Sequence, residues 1–334
     1  MATADVTVMG AGVFGLSVAY ACAQRGARVK VIDPNGVAAG SSGGVVGALA
    51  PHVPENWNEK KAFQFDSLIY AERFWNEVSA LTAADVGYAR SGRLQPLADA
   101  RAVELAQDRA VTGSELWEGK ALWEVIATPD STWMPQSPSG FIVRDTLSAL
   151  VHPRRATRAL ADAVIALGGT VATSGDAVGQ IVWATGHAGV MELGGGGVKG
   201  QAALLAFDAK HQPQLFADAL HIIPHCDGTV AIGSTTERDF DNPSTTDDQL
   251  EDVLSRARVA FPVLRDAPVI ERWAGVRPRS RNRAPILGHH PNRPGEFVAN
   301  GGFKIGFGMA PKVGQVMADL VLDGQNVIPV DFRP

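Results

Sequence analysis

Apolar residues along this chain fall in short runs separated by glycines and charged turns, and the first runs predict its architecture. Val6, Val8 and Met9 suit a buried parallel strand, Gly10-Ala11-Gly12-Val13-Phe14-Gly15 follows directly, and Leu16 to Arg25 continues as a helix. Val29-Lys30-Val31-Ile32-Asp33 reads as a second strand that closes on a carboxylate. Glu59 to Leu81 predicts a long amphipathic helix whose apolar surface comes from Phe63, Leu68, Tyr70, Phe74, Trp75 and Val78. Between Gly87 and Val143, short strand-like runs alternate with a polar helix near Ala98 to Arg109, the pattern of an inserted domain.

Leu150 to Leu167 returns to a helical pattern, with Pro153 near its first turn and Gly168-Gly169 at its end, and Thr170-Val171-Ala172 follows as a strand. Gln180-Ile181-Val182-Trp183-Ala184-Thr185-Gly186 is a further buried strand ending in small residues. Ala202 to Phe207, His221 to Pro224 and Thr229 to Ile232 are strand-like runs joined by turns such as Asp227-Gly228, which predicts a second, separate sheet. Thr246 opens a helix with Asp247 and Asp248 in its first turn and Leu250, Val253, Leu254, Ala257 and Val259 on its apolar side. Gly301 to Gly308 reads as a second glycine-rich loop and Val313 to Leu322 as a closing helix. No repeat or low-complexity linker separates these runs, so the domains are expected to interleave.

The first strand, glycine turn, helix, second strand and acid stand at the spacing of a dinucleotide-binding unit. Glycines allow the backbone to approach a pyrophosphate at the helix N-terminus, and Asp33 is placed for ribose hydroxyls. The motif leaves NAD, NADP and FAD open, although Asp33 disfavours a phosphate on the ribose. Gly40-Ser41-Ser42-Gly43-Gly44, leading into Val45-Val46-Gly47-Ala48-Leu49-Ala50-Pro51, also suits close backbone approach to a ligand.

Composition narrows the classes. The 334 residues, 46% of them hydrophobic, can bury a large core and predict two domains. A net charge of -5 argues against nucleic acid as a general partner. Cys22 and Cys226 form no disulfide framework, which fits a reducing compartment. The apolar stretch from Val6 to Ala23 lacks a basic leader and is broken by glycines, so neither a signal nor a membrane segment is expected, and the cytoplasm is the default location.

Four separated segments carry a resemblance over nearly the whole chain. They are the fingerprint through Asp33-Pro34; Ser41-Ser42 with Val46-Gly47-Ala48-Leu49; Val182-Trp183-Ala184-Thr185-Gly186 with Val198-Lys199-Gly200-Gln201; and Trp273-Ala274-Gly275-Val276-Arg277-Pro278 with Asn300-Gly301-Gly302-Phe303-Lys304-Ile305-Gly306 and Ala310-Pro311. In these the chain resembles the D-amino-acid oxidase superfamily of FAD enzymes, the glycine oxidases most of all. The resemblance implies an α/β fold: a Rossmann-like FAD domain from residues 1–86, 144–198 and 272–334, interleaved with an α+β substrate domain from 87–143 and 199–271 built on an antiparallel sheet. It implies non-covalent FAD, a small amine or amino-acid substrate, and O2 or another electron acceptor. The reaction implied is oxidation of the C–N bond of an amino acid or N-alkyl glycine to an imine by hydride transfer to flavin N5. A homo-oligomer is compatible with it.

Residue by residue, the resemblance assigns the substrate carboxylate to Arg277, whose planar fork binds it through two parallel hydrogen bonds. Lys304 stands where glycine oxidases have a second arginine, keeping the charge without the fork. His52, after the flavin loop, is a candidate polar contact or base. FAD contacts are implied for Gly10, Gly12, Val13, Phe14, Gly15, Asp33, Pro34, Ser41, Ser42, Val46, Gly47, Ala48, Leu49, Ala177, Thr185 and Gly186. They are implied as well for Gly302, Phe303, Lys304, Ile305, Gly306, Phe307 and Gly308. Two departures stand out: only the short Thr173-Ser174-Gly175-Asp176-Ala177 link joins Val171 to Ile181, and the tyrosines are limited to Tyr20, Tyr70 and Tyr88, with none matching the family's substrate tyrosine.

Other clusters read differently. His221 and His225, beside Cys226 and Asp227, sit about 13 Å apart on an extended strand, too far for one metal ion, and are expected to be structural or surface residues, as are His289-His290. Gly194 to Gly197 lacks the ending of a phosphate loop and reads as a flexible turn. Arg277, Arg279, Arg281 and Arg283 have period two, so an extended backbone would present them on one face that could grip phosphates. The FAD domain of the bacterial enzyme that oxidises a carboxymethylaminomethyl group on tRNA is also similar around Gly47-Ala48-Leu49-Ala50-Pro51, making an RNA-borne amine one alternative. A non-catalytic or complex-bound flavoprotein subunit and a nicotinamide dehydrogenase are the others.

Overall fold

The computed structural model describes residues 4–334. Its first unit is β1 (Val6–Met9), α1 (Val13–Gln24) and β2 (Val29–Ile32), with the two strands parallel and Val6 opposite Val29. α1 begins at Val13 rather than Leu16 and is buried from Val13 to Ala23. After a 3-10 turn at Ser41–Gly43 come β3 (Ala48–Leu49) and α2 (Glu59–Thr82), whose start is capped by the Asn58 side chain accepting from Lys61 N. Phe63, Leu68, Phe74, Trp75 and Val78 are buried on α2 as the pattern predicts, and Tyr70 is half-buried.

Next stand β4 (Arg93–Pro96), α3 (Ala100–Leu116), β5 (Trp123–Ala127), β6 (Phe141–Asp145) and β7 (Ala149–Leu150). α4 (Pro153–Ala166) starts on its proline, where the missing N–H would have had no helical partner anyway. β8 (Thr170–Ala172) and β9 (Gln180–Trp183) are followed by α5 (Gly186–Glu192), an element the hydrophobic pattern does not announce. β10 (Gly196–Ala206), β11 (Gln214–Ala217), β12 (Leu220–Pro224) and β13 (Thr229–Gly233) precede α6 (Asp248–Ala260). The chain closes with β14 (Val269–Arg279), β15 (Ile286–His289), β16 (Phe297–Asn300) and α7 (Gly306–Asp323).

Four local expectations are corrected. Gly196 and Gly197 are strand, not turn, because they pair with Arg279 and Pro278 on β14. The cap of α6 is Asp247, which accepts from Gln249 N, rather than Thr246, and Val259 is exposed because it falls off the stripe of Leu250, Val253, Leu254 and Ala257. α7 starts at Gly306, so the last three residues of the second glycine loop are helix. Tertiary contact overrides the weak helix propensity there: a side-chain carbon at Gly314 would lie 2.6 Å from Ser17 O, and one at Gly308 3.3 Å from Leu68, so these glycines let α7 lie close on α1 and α2. The arginine stripe breaks because β14 ends at Arg279, leaving Arg281 and Arg283 exposed in the following turn.

The first sheet has six strands in the order β15-β16-β9-β1-β2-β8, parallel except for the edge pair β15–β16. The second has eight, β14-β10-β13-β12-β11-β4-β6-β5, antiparallel except for β11–β4. On β10, Ala203 and Leu205 pack with Leu250 and Val253 of α6, while Ala202 and Leu204 join Val45, Leu150 and Ile223 in a separate cluster toward the first glycine-serine loop. That alternation gives the second sheet one face for its own core and one facing the fingerprint half of the molecule.

Candidate active site

The glycine fingerprint folds around a set of free donors. Gly10 has φ +115°, and a side-chain carbon there would lie 2.3 Å from Ala184 O; one at Gly15 would lie 2.1 Å from Gly10 O. Val13 N donates to Ser42 Oγ at 3.0 Å, which anchors the glycine-serine turn on the start of α1. The N–H groups of Gly12, Phe14 and Gly15 have no partner among the described residues, so the positive end of the helix presents unpaired donors suited to an anion. Asp33 accepts from Ala11 N (2.8 Å) and Asn35 N (3.0 Å), retaining lone pairs for hydroxyl donors.

Between these donors and the second sheet lies a cavity of ≈ 370 Å³. Among the expected residues, Gly12, Val13, Phe14, Ser41, Ser42, Val46, Ala48, Gly186, Arg277, Gly302, Phe303, Lys304, Gly306 and Phe307 line it. Gly10, Gly15, Gly47, Leu49, Thr185, Ile305 and Gly308 are not in its lining; Leu49, for example, is fully buried, and a side-chain carbon at Gly47 would strike Val151 O. Asp33 stands at the end of β2, while Pro34 and Ala177 are exposed outside the lining. The wall is held together by Asn300, which donates to Gly186 O and accepts from Gly301 N, and by Phe303 N donating to Pro278 O.

The second sheet contributes Phe216, His221, Ser234, Trp273 and Arg277 to the same cavity. Trp273 and Arg277 share one face of β14 by the period of two, and small residues on β10 leave room for them. A side-chain carbon at Gly200 would lie 1.7 Å from Arg277 Nη2. Nη2 donates to Ser234 Oγ (2.6 Å) and Thr235 O (2.9 Å), while Nη1 is buried with no partner. Burial lowers the Arg277 pKa to about 10, against the opposing pull of Glu237, so the guanidinium is charged at neutral pH.

Behind Arg277 is a buried polar network. Gln201 donates to Glu237 (3.0 Å) and Asp247 (2.8 Å), Lys199 Nζ lies 3.4 Å from Glu237, and Thr235 Oγ1 donates to Glu237. Lys304, an exposed residue, donates through Nζ to Thr236 Oγ1 at 3.0 Å, and partial desolvation, with Arg277 and Arg283 nearby, lowers its pKa.

His221 corrects the expectation of a merely structural residue. It shares the cavity-side parity of Ile223 on β12, its Nδ1 has no partner, and burial, reinforced by Arg93, Lys304 and Arg277, pushes its pKa down to about 3. His225 instead donates through Nε2 to Val45 O. No group of three or more His, Cys, Asp or Glu among the described residues could hold a metal ion.

His52 does not reach the main cavity. It lines an adjoining pocket of ≈ 180 Å³ with Gln64, Arg93, Phe216, His221 and Lys304, and its backbone N and Nδ1 both donate to Gln64 Oε1. Burial lowers its pKa. No carboxylate is among the lining residues of either cavity.

Gly44, Ala184, Ala202, Phe216, Ala219, His221, Ser234, Trp273, Pro278 and Asn300 complete the main lining without having been singled out as site residues by the sequence. Ala184, Trp273, Pro278 and Asn300 lie within segments that carry the resemblance. Strand parity marks His221, whereas Phe216 and Ala219 reach the site only through the register of the second sheet.

The family model for FAD dependent oxidoreductases (DAO) matches residues 5–320. The chain belongs to this family. Glycine oxidase of Geobacillus kaustophilus is 24% identical, the alignment covering 95% of this chain and 92% of that one. The bifunctional protein ThiO/ThiG of Synechocystis is 27% identical over 98% of this chain, which spans 53% of that longer protein. Iminodiacetate oxidase from Chelativorans sp. BNC1 shares the fold with TM-score 0.85 at 22% identity, covering 98% of each chain. The protein is therefore an FAD-dependent oxidoreductase. No helix among the described residues is long and apolar enough to cross a membrane.

Proposed function

We propose that this flavoprotein oxidises the C–N bond of a small amino acid or N-alkyl glycine whose carboxylate is held by Arg277. The observation that carries the reading is Arg277 Nη1, a buried cationic donor with no partner, on the wall of a cavity that also reaches the fingerprint. Similarity to a glycine oxidase over nearly the full length supports an amine substrate.

FAD fits the residues present. Its pyrophosphate would lie on the N–H groups of Gly12, Phe14 and Gly15, its ribose hydroxyls at Asp33, and its ring between the Ser41–Ala48 segment and Gly302–Phe307. The flavin-binding part would comprise 1–86, 144–198 and 272–334, the paired strands β10 and β14 crossing its boundaries. When bound, FAD supplies the two-electron acceptor for a hydride from the carbon bearing the amine.

The remaining work falls to side chains. Ser234 Oγ and Thr235 O hold Arg277 Nη2, leaving Nη1 for the carboxylate in place of the fork's two parallel bonds, so the guanidinium is oriented before substrate arrives. His221 is neutral and flanked by cations, so it takes no proton from an ammonium near neutral pH; it offers one imidazole edge as a hydrogen-bond acceptor. Arg277 and Lys304 instead disfavour the ammonium form and lower the bound amine's pKa. The neutral lone pair then stabilises the carbon as hydride departs, and water converts the resulting imine to a carbonyl compound and a free amine. We expect the acid limb of kcat, which reports the bound state, to lie below the free amine's pKa, a shift that pH profiles measure.

The stripe that would favour an RNA-borne amine is broken after Arg279. Steady-state assays with glycine, sarcosine, proline and D-amino acids, with O2 and with an artificial acceptor, test the proposal. For Arg277→Ala we expect KM to rise about 10- to 100-fold with FAD retained, because a charge-assisted contact is worth about 1.5–3 kcal/mol. Unchanged kinetics would remove Arg277 from the site.

A further inference from the structure

The side pocket of ≈ 180 Å³ adjoins the main cavity, and Ala48, Phe216, His221 and Lys304 belong to both linings. The deeper charge in it is Arg93, only 6% exposed on β4. Its Nε donates to Asp145 at 2.9 Å, and Asp145 also accepts from Ser148 N (2.7 Å) and Ser148 Oγ (3.0 Å). Nη1 and Nη2 of Arg93 have no hydrogen-bond partner among the described residues, although the side chain is nearly out of water. Lys304 adds a second cation and His221 and His52 two imidazoles, with no acidic side chain in the lining.

Such a pocket is poorly matched to an apolar substituent. An alkyl group would cover the guanidinium and leave its donors unsatisfied, which costs more than burying the same group in an apolar cleft repays. A carboxylate meets the Arg93 fork with charge-assisted hydrogen bonds. It also balances Lys304, the lining cation left in excess once Asp145 is set against Arg93 and one carboxylate against Arg277.

We propose that this pocket takes a second anionic group, so that the preferred substrate is an amine carrying two carboxylates, one held by Arg277 and the other by Arg93 and Lys304. The inference rests on the amine-oxidation reading for the place of the first carboxylate. Substrates of the class are N-carboxymethyl amino acids and iminodiacetate-like diacids.

Calorimetric titration of the FAD-loaded protein with thiodiacetate and with (methylthio)acetate tests it without turnover, since neither thioether can form an imine. Thiodiacetate is expected to bind at least tenfold more tightly. Arg93→Met combined with Asp145→Asn, which avoids a bare buried carboxylate, is expected to bring thiodiacetate down to the affinity of (methylthio)acetate, and Lys304→Met to narrow the difference. Should the double variant not fold, the wild-type comparison and Lys304→Met still decide. Equal affinities in the wild type, or a preference untouched by these variants, would overturn the assignment while leaving amine oxidation intact. A preserved preference in a protein whose flavin no amine reduces would overturn the oxidation and keep the pocket.

Discussion

At the scale of single residues, the site depends on absences as much as on functional groups. Gly200 lets the Arg277 guanidinium cross β10, so Gly200→Ala, with its new carbon 1.7 Å from Nη2, is expected to displace that guanidinium. We expect substrate KM to rise at least tenfold while the flavin absorbance is retained, a split between binding and cofactor content that titration and spectroscopy read separately; normal KM would show that Arg277 is not held by this crossing. The glycine turn was legible in the sequence because it has a strong local signature, whereas Arg277 was singled out only by the resemblance, since a run of alternating arginines does not mark one of them. His221 was not, because a lone histidine in an apolar strand carries no mark of the cavity that a distant strand brings to it. His52 shows the reverse: position after the flavin loop pointed to the main cavity, and the Gln64 side chain holds it in the neighbouring pocket.

Among elements, the β10–β14 pair and the segment after β13 decide where Arg277 points. Lys199, Gln201 and Glu237 form their shared polar anchor, and Lys199 and Glu237 are only 3% and 7% exposed. Removing Glu237 leaves the buried Lys199 only the partly exposed Asp247, 3.5 Å away, so Glu237→Ala is expected to lower stability by about 3 kcal/mol, and Lys199→Met with Glu237→Leu to recover most of that. Denaturant titration measures both; additive losses in the double variant would contradict a coupled pair. Element types followed well from periodicity in β1, α1, β2 and α2, where burial and spacing agree. They followed poorly at Gly194–Gly197 and Gly301–Gly308, where glycines that resemble loops serve close packing. Composition alone cannot separate those roles, since the neighbour that needs the missing side chain is remote in sequence.

For the whole molecule, two sheets enclose the site, and both the order of strands in the second sheet and the length of β10–β14 pairing lay beyond what local pattern carries. The buried histidines couple this architecture to pH. Burial is the leading cause of lowered pKa at His152, at His221 (about 3) and at His225 (about 4), against the usual 6.5. The unfolded chain therefore binds more protons between these values, so this contribution to stability is complete above about pH 6.5 and is lost as pH falls toward 3. We expect Tm to drop across that window and His225→Gln to flatten the drop; an unchanged profile would assign the acid sensitivity elsewhere. The central claim concerns the cavity between the sheets, and anaerobic titration of the purified, FAD-loaded protein with sarcosine, glycine and iminodiacetate tests it most directly. Loss of the visible flavin absorbance with release of a carbonyl product is the predicted result, whereas a flavin that no amine of this series bleaches would contradict it.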